Sequence, residues 1–104
     1  MDAAIKALAE PRRREILRLV WDRELAAGEI AAHFDVTRPA ISQHLGVLRE
    51  AALVSERRDG TRRLYRARPD TVEELRRFLD DFWTAGLGRL RVAAEAAERR
   101  KGKR

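Results

Sequence analysis

Residues 28–54 read GEIAAHFDVTRPAISQHLGVLREAALV, two short helical patterns separated by a break. In the first, over residues 28–34, Ile30 and Phe34 stand four apart and point inward. Asp35-Val36 then interrupts the period. Thr37 is a good N-cap and Pro39 a first-turn residue for a second helix over about 38–51. Its residues Ile41, Leu45 and Leu48 recur at spacings of four and three and mark the core stripe. Pro39, Gln43, Gly46 and Glu50 face away from it, with Ser42 and Arg49 on one flank and Thr37 and Arg38 at the helix start. Two short helices joined by a tight turn, the second polar on its outer face, form a helix-turn-helix pattern. Arginine, serine and glutamine are side chains that reach base edges and phosphates in a major groove. Gly46 lacks a side chain where such a helix would come closest to DNA.

Downstream the period changes. VSERRDGTRRLYRAR, residues 54–68, reads as strand, tight turn and strand, with Asp59-Gly60 as the hairpin signal. The wing so defined covers about residues 54–67 and carries Arg57, Arg58, Arg62 and Arg63 around its turn. Side chains alternate along a strand, so these four cannot all point one way. One or two are expected to reach a minor groove or its phosphates, the others to remain solvated.

Upstream, residues 2–9 form a short helix with Ile5 and Leu8 on one face. Pro11 opens a second helix running through Trp21, whose buried face is expected to be Ile16, Leu17, Val20 and Trp21. Arg12, Arg13 and Arg14 sit at its N-terminus, where the helix dipole disfavours positive charge. A phosphate clamp and ion pairing with Glu10 or Glu15 are both open readings there. After Pro69, Asp70 or Thr71 caps a last helix over about 71–98. Its stripe of Leu75, Phe78, Leu79, Phe82, Trp83, Gly86, Leu87 and Leu90 covers about half the circumference, more than one helix needs to cover its own core. The surplus is expected to meet a second subunit, and aromatics at this spacing favour core or dimer contact over a ligand pocket. Residues 99–104 are expected to be a basic flexible tail.

The reading is thus one domain over residues 1–98, mainly α with a small β-hairpin wing. Charge is distributed to match. The chain carries +6, yet residues 37–68 alone hold eight Lys or Arg against three Asp or Glu. That excess over the helix-turn-helix and wing is the footprint of a polyanion-binding surface. With no cysteine, disulfides, thiolate metal ligands and cysteine nucleophiles are excluded together. With two histidines, no nucleophile–base pair or phosphate-binding glycine loop appears, so an enzyme is not expected. No apolar run is long enough to span a membrane, and MDAAIKALAEPRRRE lacks the apolar stretch of a signal peptide. A cytoplasmic protein is the expectation.

The segments ALAEPRRREIL, GEIAAHFDVTRPAISQHLGVLREAALV and ERRDGTRRLYRA resemble the ArsR/SmtB family of bacterial regulators. The resemblance covers about residues 4–68, and SQHLGVLREAALV is its most specific part. Ala52 departs from it, since glycine is usual before the Leu53-Val54 pair. The resemblance implies a winged helix-turn-helix, with a homodimer built from the first and last helices binding double-stranded DNA at an operator of dyad symmetry. It implies recognition-helix roles for Ser42, Gln43 and His44 and wing roles for Arg62 and Arg63. The expected interface residues are Ile5 and Leu8 with Phe78, Leu79, Phe82, Trp83, Gly86, Leu87 and Leu90.

Family members often sense metals, but here the third helix offers no cysteine around Ile30 and Ala31. The last helix has Asp80, Asp81, Glu95 and Glu98 without a histidine, whereas zinc prefers nitrogen or sulfur. No metal and no cofactor is therefore expected, and no residue pattern specifies a small-molecule effector. His44 lies beside the core stripe, a place for packing with a phosphate contact as the alternative. His33 reads as a partly exposed helix residue without special task. The leading function is a sequence-specific transcriptional repressor. The alternatives are a winged-helix protein–protein interaction module, which does not call for the positive charge to concentrate on the recognition helix and wing, or a nonspecific nucleic-acid binder.

Overall fold

The computed structural model describes residues 1–102. Five helices and three strands follow in the order α1 (Asp2–Leu8), α2 (Pro11–Leu19), β1 (Leu25–Ala26), α3 (Ala27–Ala31), α4 (Arg38–Glu50), β2 (Val54–Asp59), β3 (Arg62–Ala67) and α5 (Pro69–Gly102). The chain is mostly helical with one small antiparallel sheet of order β1-β3-β2.

Local chemistry sets the boundaries. Pro11 occupies the first turn of α2, and the Glu10 carboxylate accepts from the Arg12 amide. Thr37 Oγ1 accepts from the Ala40 amide at 3.3 Å and caps α4. At the far end of α4 the Leu53 amide donates to the Leu48 carbonyl and the Ala52 amide to that of Arg49. This is the Schellman pattern, which needs a left-handed residue. Ala52 supplies it with φ of 60°, the one non-glycine residue at positive φ among the described residues. The departure at this position is thus a strained alanine in a place that suits glycine.

The core gathers one stripe from each helix against the sheet. Ile16, Leu17 and Val20 meet Ile30, then Ile41, Leu45 and Leu48, closed by Leu53, Val54, Tyr65 and Ala67, with Ala4, Ala7 and Leu75 at its edges. Arg13 and Arg14 lock α1 onto α2. The Arg13 Nε donates to the Ala7 carbonyl and Arg14 Nη1 to that of Leu8, satisfying the last carbonyls of α1. Arg12 lies over the Phe34 ring and pairs with Glu15. Two of the three arginines at the start of α2 are therefore caps of the preceding helix.

Several expectations are corrected. Trp21 is 54% exposed, not core, because α2 ends at Leu19 and the helical period no longer orients residue 21. The hairpin pairs Asp59 with Arg62, so its loop is Gly60-Thr61, one residue later than the Asp59-Gly60 reading. Gly60, at φ of 64°, takes the first loop position. β1 has no counterpart in the sequence reading; its two residues pair with Tyr65 and Leu64 and add a third strand. The third helix is shorter than residues 28–34, ending at Ala31, and His33 lies past it with Nδ1 at 2.9 Å from the Glu29 carbonyl. The last helix starts at Pro69, where the Val72 amide already donates to the Arg68 carbonyl. It continues through Gly102, so residues 99–102 are helical rather than a flexible tail, and residues 103–104 lie outside the described residues.

Only Thr71 and Leu75 of α5 are buried. At 1.5 Å per residue its 34 residues extend about 51 Å. The radius of gyration, 19.9 Å, compares with about 13 Å for a compact chain of this length. The difference is α5, which leaves the body after its second turn.

Candidate nucleic-acid interface

α4 presents its outer face as the helical period requires. Thr37, Arg38, Pro39, Ser42, Gln43 and Arg49 are exposed, while Ile41, Leu45 and Leu48 are fully buried. His44 is half-buried, with Nδ1 at 3.3 Å from Arg13 Nη1. Guanidinium only donates, so this contact makes Nδ1 the acceptor and leaves Nε2 as the ring donor. A Cβ built at Gly46 meets nothing within 4 Å. The chain's own packing therefore gives no reason for glycine in mid-helix.

Two concavities flank α4. One, of about 550 Å³, lies between α4 and the wing and is lined by Arg38, Ser42, Gly46, Arg49, Arg62 and Arg63, with Glu56 among them. The other, of about 720 Å³, separates α4 from α1 and includes Lys6, Arg13, Gln43, His44 and Val47. Ser42 and Gln43, adjacent in sequence, thus serve opposite flanks of one helix.

The hairpin register sorts the wing arginines. Arg58 pairs with Arg63 across the strands and shares a face with Glu56 and Tyr65; Arg57 pairs with Leu64 on the other face. Arg57 is held there by two hydrogen bonds to Glu24, each 3.0 Å. The structure does not bring Arg57 to the cleft. Arg62 reaches Glu29, whose carboxylate also accepts from the Ala26 amide, so the wing is tied to the start of α3. These bonds hold both carboxyls below their ordinary values: Arg57 acts on Glu24, and the Ala26 amide followed by Arg62 acts on Glu29. Burial, with the Glu56 carboxylate beside it, raises the Tyr65 phenol. Arg38 and Arg58 form no ion pair among the described residues. The acidic partners Glu24, Glu29 and Glu56 had no role in the sequence reading; the first two lie 33 residues from the arginines they bind.

The second expected surface lies on α5 and α1. Phe78, Leu79, Phe82, Trp83, Leu87 and Leu90 are 37–66% exposed, and Ile5 is 39% exposed. Phe82 stacks against Phe78 and meets Trp83 edge-on, with ring centroids 6.5 and 5.6 Å apart. Leu8 is half-buried against the core, and nothing lies within 4 Å of a Cβ built at Gly86. Among the described residues no three His, Cys, Asp or Glu side chains gather to hold a metal, and no helix is long and apolar enough to cross a membrane.

A capped polar helix beside an arginine-bearing hairpin, on a three-stranded sheet, makes this a winged helix-turn-helix protein. The model of the arsR family of bacterial regulatory proteins matches residues 10–56. The HTH-type transcriptional regulator Rv2034 of Mycobacterium tuberculosis is 48% identical over 86 residues, spanning 83% of this chain and 80% of that one. The transcriptional repressor SdpR of Bacillus subtilis is 42% identical over 60 residues, 58% of this chain and 67% of its own. The crystal structure of a possible transcriptional regulator for arsenical resistance superposes with a TM-score of 0.74 at 44% identity, covering 86% of this chain and 93% of that one. The chain belongs to the arsR family. It is a DNA-binding transcriptional regulator and not an enzyme.

Proposed function

We propose that this regulator is a repressor that acts in the cytoplasm as a homodimer on an operator of dyad symmetry. One observation carries the reading: the exposed α4 residues Arg38, Ser42 and Arg49 line one cleft with Arg63 of the wing, on the hairpin face that also bears the exposed Arg58. Each subunit lays α4 in a major groove, with Ser42 and Gln43 reading bases from its two flanks. Arg38, Arg49, Arg58 and Arg63 take phosphates or a minor-groove edge. The apolar stripe of α5, with Ile5 and Leu8 of α1, pairs with its copy and sets two recognition helices about 34 Å apart. A dimer so placed occludes a promoter. The name of the repressor SdpR supports repression as the sense of regulation.

The test is a titration of palindromic and scrambled duplexes selected from genomic fragments, at fixed salt. Gln43→Ala is expected to narrow the gap between the two, while Arg58→Ala weakens both alike and lowers the salt slope by about one. Arg57→Ala, on the far face, is expected to change neither. Equal affinity of the wild type for both duplexes would remove the sequence-specific reading.

A further inference from the structure

The cleft between α4 and the wing holds one carboxylate among its arginines. Glu56 projects from β2, and at 19% its side chain is the least exposed of the ion-paired acids among the described residues. Its Oε2 accepts from Arg49 Nη1 at 2.7 Å, and its Oε1 stands 3.5 Å from Arg63 Nε. The two arginines come from different elements, the end of α4 and the start of β3. A negative charge on a DNA-facing surface opposes binding if charge is all it contributes. The geometry gives it another use. Each carboxylate oxygen faces a single nitrogen of one arginine, and a guanidinium carries five N–H donors, so most of both forks stay free for a second acceptor. Arg57 is the contrast: Glu24 takes both its Nε and Nη2, along one whole edge.

We propose that Glu56 is a positioning residue for DNA binding, clipping Arg49 of the recognition helix to Arg63 of the wing so that both present their free N–H groups to phosphates of one DNA strand. The proposal rests on α4 and the wing being the DNA face. Unclipped, each long side chain must be ordered when DNA arrives, which costs affinity. Clipped, that ordering precedes binding, and helix and wing approach the duplex as one surface.

Charge and positioning predict opposite signs. Glu56→Gln keeps the shape and removes a negative charge, so charge alone predicts tighter binding. Positioning predicts binding about tenfold weaker, the scale of two arginines losing their order, with a salt slope reduced by up to about two. Glu56→Asp retains the charge but, one methylene shorter, does not reach both arginines; it is expected to weaken binding as well, where charge alone predicts no change. In an Arg49→Ala/Arg63→Ala background nothing is left to position, so Glu56→Gln is expected to lose its weakening effect and, with only charge at stake, to leave binding equal or tighter. Anisotropy titrations on an operator duplex, with thermal melts showing each variant folded, read all three. Wild-type protein that binds no duplex overturns the DNA face and the clip with it. Wild-type binding with Glu56→Gln equal or tighter, or an undiminished effect of Glu56→Gln in the double-alanine background, overturns the clip alone.

Discussion

Gly46→Ala separates what this chain needs for folding from what it needs for DNA. The residue sits in the interior of α4, eight positions after Arg38 and four before Glu50. Its φ is not in the left-handed range, and an added Cβ meets nothing within 4 Å. An alanine there should therefore stabilise the free protein by about 0.5–1 kcal/mol, since glycine in a helix interior is worse by that amount. For a domain near 100 residues this raises the melting temperature by about 2–5 °C. On DNA the sign reverses. The position lies midway between the flank of Ser42 and Arg49 and the flank of Gln43 and Glu50, at the crest of the exposed face. A methyl at the crest lifts the helix from the groove floor, and every bidentate hydrogen-bonded pair with a base that this breaks costs about 1–3 kcal/mol. Affinity for the operator is expected to fall about 10- to 100-fold, by anisotropy at fixed salt, while the circular dichroism melt moves up. An affinity within twofold of the wild type, with the melt raised as expected, would show that α4 does not approach DNA at its crest. A lowered melt would refute the packing argument itself.

Three other perturbations bear on the remaining elements. Ala52→Gly relieves the one left-handed alanine, worth about 1–2 kcal/mol in the folded state less about 0.4–1 for the freer unfolded chain; a melt raised by a few degrees is expected, and a lowered one counts against the strained cap. Phe82→Glu removes an aromatic ring that is 60% exposed, and twofold symmetry counts that exposed share twice, about 2–4 kcal/mol of dimerisation; light scattering should find monomers near 12.0 kDa, and an unaltered dimer would show that this stripe is not the interface. Acid should destabilise the fold, because Glu24, Glu29, Asp70 and Glu73 all have folded values held down by arginine or amide hydrogen bonds. Their contribution is complete above the ordinary carboxylate values of 3.8 and 4.5 and is lost as pH falls through the lower folded ones, so the melt should be level from pH 7 to 5 and drop below about 4.5; a melt that rises on acidification contradicts the assignment.

What could be read from the sequence was what repeats locally. Ile41, Leu45 and Leu48 keep a helical period over two turns, and all three are at most 1% exposed. Thr37 and Pro39 mark the start of α4 by short-range chemistry, and the cap bond to Ala40 follows from it. Trp21 failed for the same reason those succeeded: the period was carried past Leu19, where the helix had ended. β1 was missed because two residues show no alternation, and its strand exists only by pairing with Tyr65 and Leu64. The wing arginines were legible as residues but not as geometry. Alternation separates them, yet which face each takes depends on a register one residue from the expected turn. The acids that hold them come from distant segments, so no local pattern joins Glu24 to Arg57 or Glu29 to Arg62.

The two exposed surfaces, one polar on α4 and one apolar on α5, are not independent in the reading proposed. A single subunit carries one recognition helix and a handful of phosphate ligands, enough for a half-site. Joining two subunits makes binding to the second half-site intramolecular, at an effective concentration in the millimolar range or above for a rigid link, which multiplies affinity without any new interaction. α5 is such a link only if it is stiff, and a continuous helix of 34 residues is stiffer than a loop of that length. In the proposed dimer, the interface on α5 would therefore set the spacing of the two α4 helices as well as their number. Phe82→Glu should for that reason cost operator affinity by orders of magnitude at nanomolar protein, although Phe82 lies on neither α4 nor the wing. Binding to an isolated half-site should stay close to that of a wild-type subunit. If both duplexes lost affinity by the same factor, the damage would be to the fold of α4 and the wing, and the link between the two surfaces would have to be abandoned.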